Sequence, residues 1–161
     1  MSLKFHLIQI KKTFKSPPSN EEIHAHIKTI HEILDSLENE FSIDTNREYV
    51  TGLSMGGEST WMSLLERPNR FAAAVPICVG NKFIGIGPSE LGRRFSKLPL
   101  WLFHGAADKV ISVDISQTLI KALCDAGGEP NYTEYPKVGH DSWELAYRDS
   151  TLIEWIFDQS L

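Results

Sequence analysis

Cysteine is nearly absent from this chain, with Cys78 and Cys124 the only two in 161 residues. That is too few for a disulfide framework. Cys78 falls in an apolar run and Cys124 in a helical pattern, so both are expected to be small buried hydrophobes. Long hydrophobic runs are missing as well. No stretch approaches the roughly 18 apolar residues of a membrane span. The N-terminal stretch is interrupted by His6, Gln9, Lys11 and Lys12, and lacks the apolar core and cleavage site of a signal peptide. A cytoplasmic chain is the resulting expectation. Basic charge is not in excess: Lys plus Arg is 16 and Asp plus Glu is 21, a net charge of −5. With no Lys/Arg cluster to coat a phosphate backbone, nucleic acid is excluded as an expected partner. Hydrophobic residues at 42% and charged residues at 23% fit one globular domain over residues 1–161, not a disordered or collagenous chain.

What is present is an alternation of strands and helices. Residues 3–10 read as a short strand, and Ser16-Pro17-Pro18-Ser19 as a turn. Ser19 and Glu22 have capping-box spacing. Ile23, Ile27, Ile30, Leu34, Leu37 and Phe41 follow as one apolar stripe, which predicts a helix over 20–41. Residues 48–51 read as a strand, 55–66 as a helix stopped by Pro68, and 71–78 as a strand covered on both faces. Residues 81–97, with three glycines and a proline, read as an irregular excursion. Strands are expected at 98–103 and 131–135, and helices at 113–126 and 143–157, the last in two pieces joined near Asp149. This order predicts an α/β fold, a mostly parallel sheet with helices on both faces.

Gly52-Leu53-Ser54-Met55-Gly56 matches the Gly-x-Ser-x-Gly pattern. At ordinary Gly and Ser usage, about one chain in twenty of this size carries that pentapeptide by chance. Context is what gives it weight: it follows a predicted strand and opens a predicted helix. Such a turn would expose Ser54 under strain, and the helix start would offer N–H groups and positive dipole to a developing oxyanion. A serine nucleophile needs a base. Of six histidines, His24, His26 and His31 are expected on a solvated helix face, since further metal ligands beside them are lacking. His104 ends a buried strand, where it would satisfy backbone groups. His140 lies in a loop after the last strand, where α/β sheets place function, and is the expected base. Asp108, also after a strand, is the expected acid. Asp114 is the runner-up but fits the next helix's first turn, and Asp141 is too near His140 in sequence to face its ring. The order Ser54, Asp108, His140 is that of α/β hydrolases. No metal site and no cofactor are expected.

Residues 49–57, Arg70 to Cys78, Leu102 to Asp108, and Tyr132 to Trp143 together resemble the phospholipase/carboxylesterase-type α/β hydrolases. These are close to polyhydroxybutyrate-depolymerase-like esterases and predicted peptidases. The resemblance implies ester hydrolysis through an acyl-enzyme, with Ser54, Asp108 and His140 matching the triad and the Met55 N–H as one oxyanion donor. Gly52, Leu53, Gly56, Gly57, Glu58, Phe83 and Trp143 are candidates for the pocket wall, and a small-molecule ester is the implied partner. Glu58 has two readings, a favourable charge at a helix start or a pocket residue. Phe83, Ile84, Ile86 and Phe95 either line an acyl pocket or anchor a solvated loop.

The resemblance also implies further strands before the first helix, and a loop there that gives the second oxyanion N–H. This sequence has room for at most one strand before Asn20 and no His-Gly-Gly-Gly-like segment. An N-terminally truncated domain is therefore expected. Its exposed sheet edge would favour a homo-oligomer. A weak or inactive hydrolase-like fragment and a serine peptidase are the alternative readings.

Overall fold

The computed structural model describes residues 19–82 and 84–161. The expected strand at 3–10, and Phe83, lie outside the described residues. Helix α1 spans Asn20–Glu40 and opens with the expected capping box. Ser19 Oγ accepts from the Glu22 N–H, and the Ser19 N–H donates to Glu22 Oε2 at 2.8 Å. Strand β1 (Tyr49–Leu53) runs straight into α2 (Met55–Glu66), and β2 (Ala73–Ile77) follows. Helix α3 (Pro88–Phe95) precedes β3 (Trp101–Gly105). Then come α4 (Val113–Asp125), β4 (Asn131–Tyr135), α5 (Trp143–Ala146) and α6 (Ser150–Phe157).

The four strands form one sheet in the order β1-β2-β3-β4, every pairing parallel. Side chains alternate across it, so each strand feeds two cores. On one face Ala74 and Leu102 pack with Trp61 and Leu64 of α2, Leu91 and Phe95 of α3, and Leu119 and Leu123 of α4. On the other, Val75, Ile77 and Phe103 pack with Ala146 of α5 and Leu152 of α6. Helices thus cover both faces, as the alternating pattern predicts. Helix α1 lies outside this arrangement and rests on α2, with Ile23 and Ile27 against Met62. At its far end the Arg70 guanidinium joins Asp35 and Glu38 of α1 to Glu48. No described helix is long and apolar enough to cross a membrane.

Three expectations are corrected. Residues 88–95 form a helix within the stretch read as irregular: Gly87 is its N-cap, Pro88 starts it, and Leu91 and Phe95 bury one face. Cys124 is exposed, not buried. It stands one helical step, about 100°, past buried Leu123, which turns it out of the stripe. His31 is on the apolar stripe of α1, not on a solvated face: it is 1% exposed, and its Nε2 lies 3.0 Å from Ser63 Oγ of α2.

Burial, reinforced by the positive charges of Arg70 and Arg67, holds the His31 pKa below its ordinary 6.5, against the opposing effects of Ser63 and Glu66. The unfolded chain then takes up a proton below about 6.5 that the folded protein resists, so stability falls as pH drops through that window. Urea unfolding midpoints at pH 7.5 and 5.5 should fall more steeply for the wild type than for His31→Gln. Equal slopes would remove His31 from this account.

Candidate active site

Between the end of β1 and the start of α2 there is one residue, Ser54. It makes the whole turn at φ 54 and ψ −119, a backbone state that costs a non-glycine residue on the order of 1–3 kcal/mol. The turn is tight enough that a Cβ on Gly52 would stand 2.1 Å from the Gly56 carbonyl oxygen. Two partners hold it. The Ser54 N–H donates to the Ile77 carbonyl at 2.9 Å, with the Cys78 Sγ at 3.3 Å. Cys78 is itself at φ 41 and fully buried, and burial pushes its thiol up to about 11. The sequence predicts its burial but gives no sign of its contact with the serine.

Asp108 follows β3 through a turn closed by its own N–H on the Gly105 carbonyl. The loop carrying His140 crosses this turn backbone to backbone. Ala106 N–H donates to Tyr135 O and Ala107 N–H to Val138 O. A Cβ on Gly105 would meet Gly139 O at 2.1 Å, so only glycine admits this approach. The result brings the three expected residues together. His140 Nε2 lies 2.8 Å from Ser54 Oγ, and His140 Nδ1 lies 2.7 Å from Asp108 Oδ2. The Asp108 side chain has no exposed surface and that of His140 is 20% exposed. Asp108 Oδ1 accepts from the N–H groups of Val110 at 2.8 Å and Ile111 at 3.0 Å. Burial works against the Asp108 charge, yet the Ile111 N–H, the His140 ring and the Val110 N–H outweigh it and hold the carboxyl below its ordinary value.

The runners-up sit elsewhere. Asp114 is in the first turn of α4, taking the Ser112 hydroxyl at 2.9 Å, and Asp141 is exposed. His104, expected to satisfy backbone groups, does reach the Ile111 carbonyl, but its Nε2 also lies 3.2 Å from Asp108 Oδ2. Among the described residues no group of three or more His, Cys, Asp or Glu is arranged to hold a metal ion.

Of the candidate pocket residues, Trp143 stands edge-on to the His140 ring, centroids 5.5 Å apart. Met55 is 38% exposed at the first position of α2. Leu53 packs into the core on the α6 side, and Gly56 and Gly57 continue the first turn of α2. Glu58 is in that first turn too, buried with its carboxylate against Gly80. Ile84 and Phe95 are core anchors at 2% exposure each. Ile84 and Ile86 also line a cleft of about 220 Å³ against Ile115 and Leu119 of α4.

A strand, a one-residue turn and a helix around a strained serine, set on a parallel sheet covered on both faces, are the marks of the α/β-hydrolase fold. The profile of the phospholipase/carboxylesterase family matches residues 5–150, and the chain belongs to that family. Among solved structures it is similar to a thermostable esterase, at 40% identity and a TM-score of 0.76 over 84% of this chain and 36% of that one. Among curated proteins it is 27% identical to the carboxylesterase SOBER1 of Arabidopsis thaliana over 84% of this chain and 60% of that protein. It is 29% identical to the bifunctional acetylxylan esterase/xylanase XynS20E of Neocallimastix patriciarum over 66% of this chain and 16% of that protein. The chain thus spans only part of the length of these relatives.

The backbone crossing at Gly105 gives a direct prediction. Gly105→Ala should lower stability by about 2 kcal/mol, because the new methyl meets backbone that cannot rotate away. Urea denaturation measures the loss, and a wild-type midpoint would show that the two loops tolerate separation.

Proposed function

We propose that this chain hydrolyses carboxylic esters of small molecules through an acyl-enzyme on Ser54. The observation that carries this is the unbroken line of contacts from Ser54 Oγ to His140 Nε2 and from His140 Nδ1 to Asp108 Oδ2. An ionised Asp108 can only accept, so Nδ1 carries the ring proton and Nε2 is left to take the serine proton. Ser54 Oγ then attacks the ester carbonyl while His140 becomes imidazolium beside Asp108. The Met55 N–H, at the positive end of α2, receives the oxyanion charge. The alcohol leaves with the proton from Nε2. Water, deprotonated by the same nitrogen, attacks the acyl carbon and releases the acid. The carboxylesterase and esterase descriptions of the relatives support the ester class.

Each oxyanion donor is worth on the order of 10²–10³ in kcat. With Met55 the one donor assigned, activity is expected first on small activated esters. Wild-type turnover of p-nitrophenyl acetate should exceed that of Ser54→Ala by on the order of 10³. A fluorophosphonate probe should leave its adduct on Ser54. Equal rates for the two proteins, or an adduct elsewhere, would sink the proposal.

A homo-oligomer through the sheet edge is the second reading. Its support is β1, which among the described residues pairs on one side only and is half-buried along its whole length. Sedimentation should give a dimer. A monomer at concentrations where the fold is intact would rule this out.

A further inference from the structure

The mechanism above leaves one buried ring unused. His104 is the next-to-last residue of β3 and has no exposed surface. Its Nε2 lies 3.1 Å from the Ile111 carbonyl oxygen and 3.2 Å from Asp108 Oδ2. Its Nδ1 lies 2.7 Å from Ser116 Oγ on α4. A carbonyl and an ionised carboxylate offer no proton, so Nε2 must carry one. Nδ1 then accepts from the Ser116 hydroxyl, and the neutral ring uses both its nitrogens. The Nε2–H is aimed at Ile111, whose own N–H binds Asp108 Oδ1 at 3.0 Å. One ring therefore grips the peptide that cradles Asp108 and sets a positive edge beside the oxygen that faces His140.

We propose that His104 is a positioning residue for the Asp108–His140 pair, its tautomer fixed by Ser116 and its Nε2–H holding the Asp108 loop closed. The inference rests on the reading of Asp108 and His140 as acid and base. Removing the ring nitrogens frees the 108–111 loop and takes a donor from the side of Oδ2. Oδ2 then bears more charge toward His140, so its hydrogen bond with the His140 Nδ1–H tightens. Other titratable groups act on the same centre. The Cys78 thiol, just past β2, interacts electrostatically with Asp108, and Glu134 of β4 does so with His104. Neither changes in the variants below.

The test combines NMR with kinetics. In the wild type, histidine ¹⁵N shifts should give His104 as the Nε2–H tautomer. A Nδ1–H tautomer overturns the proposal without any variant. His104→Phe keeps the ring volume and loses both nitrogens. It should move the His140 Nδ1–H proton resonance downfield and lower kcat on p-nitrophenyl acetate by on the order of tenfold, with KM little changed. His104→Gln returns an N–H near the Nε2 position and should recover most of both. A folded His104→Phe with the wild-type resonance and kcat overturns the proposal. If His104→Phe does not fold, Ser116→Ala takes its place. It should loosen the tautomer and move the His140 Nδ1–H resonance, and an unmoved resonance and tautomer overturn the proposal. Wild-type hydrolysis no faster than Ser54→Ala would defeat the esterase reading instead, while the tautomer and the His140 resonance would still decide the role of His104.

Discussion

A carboxylate with no exposed surface is the constraint around which this site is organised. Taking an ionised group out of water costs several kcal/mol unless partners replace the water. Asp108 finds them in the Val110 and Ile111 N–H groups on one oxygen and His140 on the other, with the His104 ring alongside. Each partner fixes a piece of chain. The two amides require the 108–111 loop to curl back on its own side chain. The His140 contact requires the loop after β4 to lie on the turn after β3, and that approach requires a glycine at 105. The charge is satisfied only when both loops are in place, so solvating Asp108 and bringing His140 onto it are one requirement.

The serine is held by a different balance, strain against packing. The backbone of Ser54 is in a state that L-residues rarely adopt, and so is that of Cys78 directly behind it. Neither would persist in a loosely packed loop. Ser54 is gripped by the Ile77 carbonyl and the Cys78 sulfur, and its turn closes against Gly52, where no side chain stands in the way. The strain held in this turn aims Oγ outward at His140, from a point fixed by β1 and its bonds to the end of β2 rather than by a surface loop.

Periodic elements were legible in the residues, and so was the meeting of the three candidate residues, for one reason. Each of Ser54, Asp108 and His140 follows a strand, and strands and helices here announce themselves by spacing. α2 and β4 fall on the expected residues because Pro68 bounds one and the strand-forming Tyr132, Thr133 and Tyr135 mark the other. α3 was hidden because its starting signal, glycine then proline, is also the signal of a turn. Its Leu91 and Phe95 pair was the available clue. His31 hides its burial in the same way: it is polar, yet it stands four residues past Ile27, in register with the stripe. The roles of Cys78 and His104 were not legible, since each depends on a partner fixed by tertiary structure: Ser54, 24 residues away, and Ser116, 12 residues away. Residue type gave their burial, and only geometry gave their partners.

The sheet has a gap that bears on how the site is held. Ala74 N–H donates to Pro99 O and Cys78 N–H to Phe103 O, a ladder whose middle rung would come from residue 76. Residue 76 is proline and has no N–H to give. The seam between β2 and β3 thus loses a bond in the middle of the sheet, in a strand buried throughout. At the carboxyl ends of the strands it is closed again. Ser54 N–H bonds Ile77 O, Cys78 N–H bonds Phe103 O, and Ala106 N–H bonds Tyr135 O, tying β1 to β2, β2 to β3 and β3 to β4. These three bonds lie at the edge from which Ser54, Asp108 and His140 project. Cys78 takes part in two of the junctions, receiving the Ser54 N–H at sulfur and giving its own N–H to Phe103. The spacing between Ser54 and Asp108 is therefore fixed at the site itself and does not depend on an unbroken ladder beneath it.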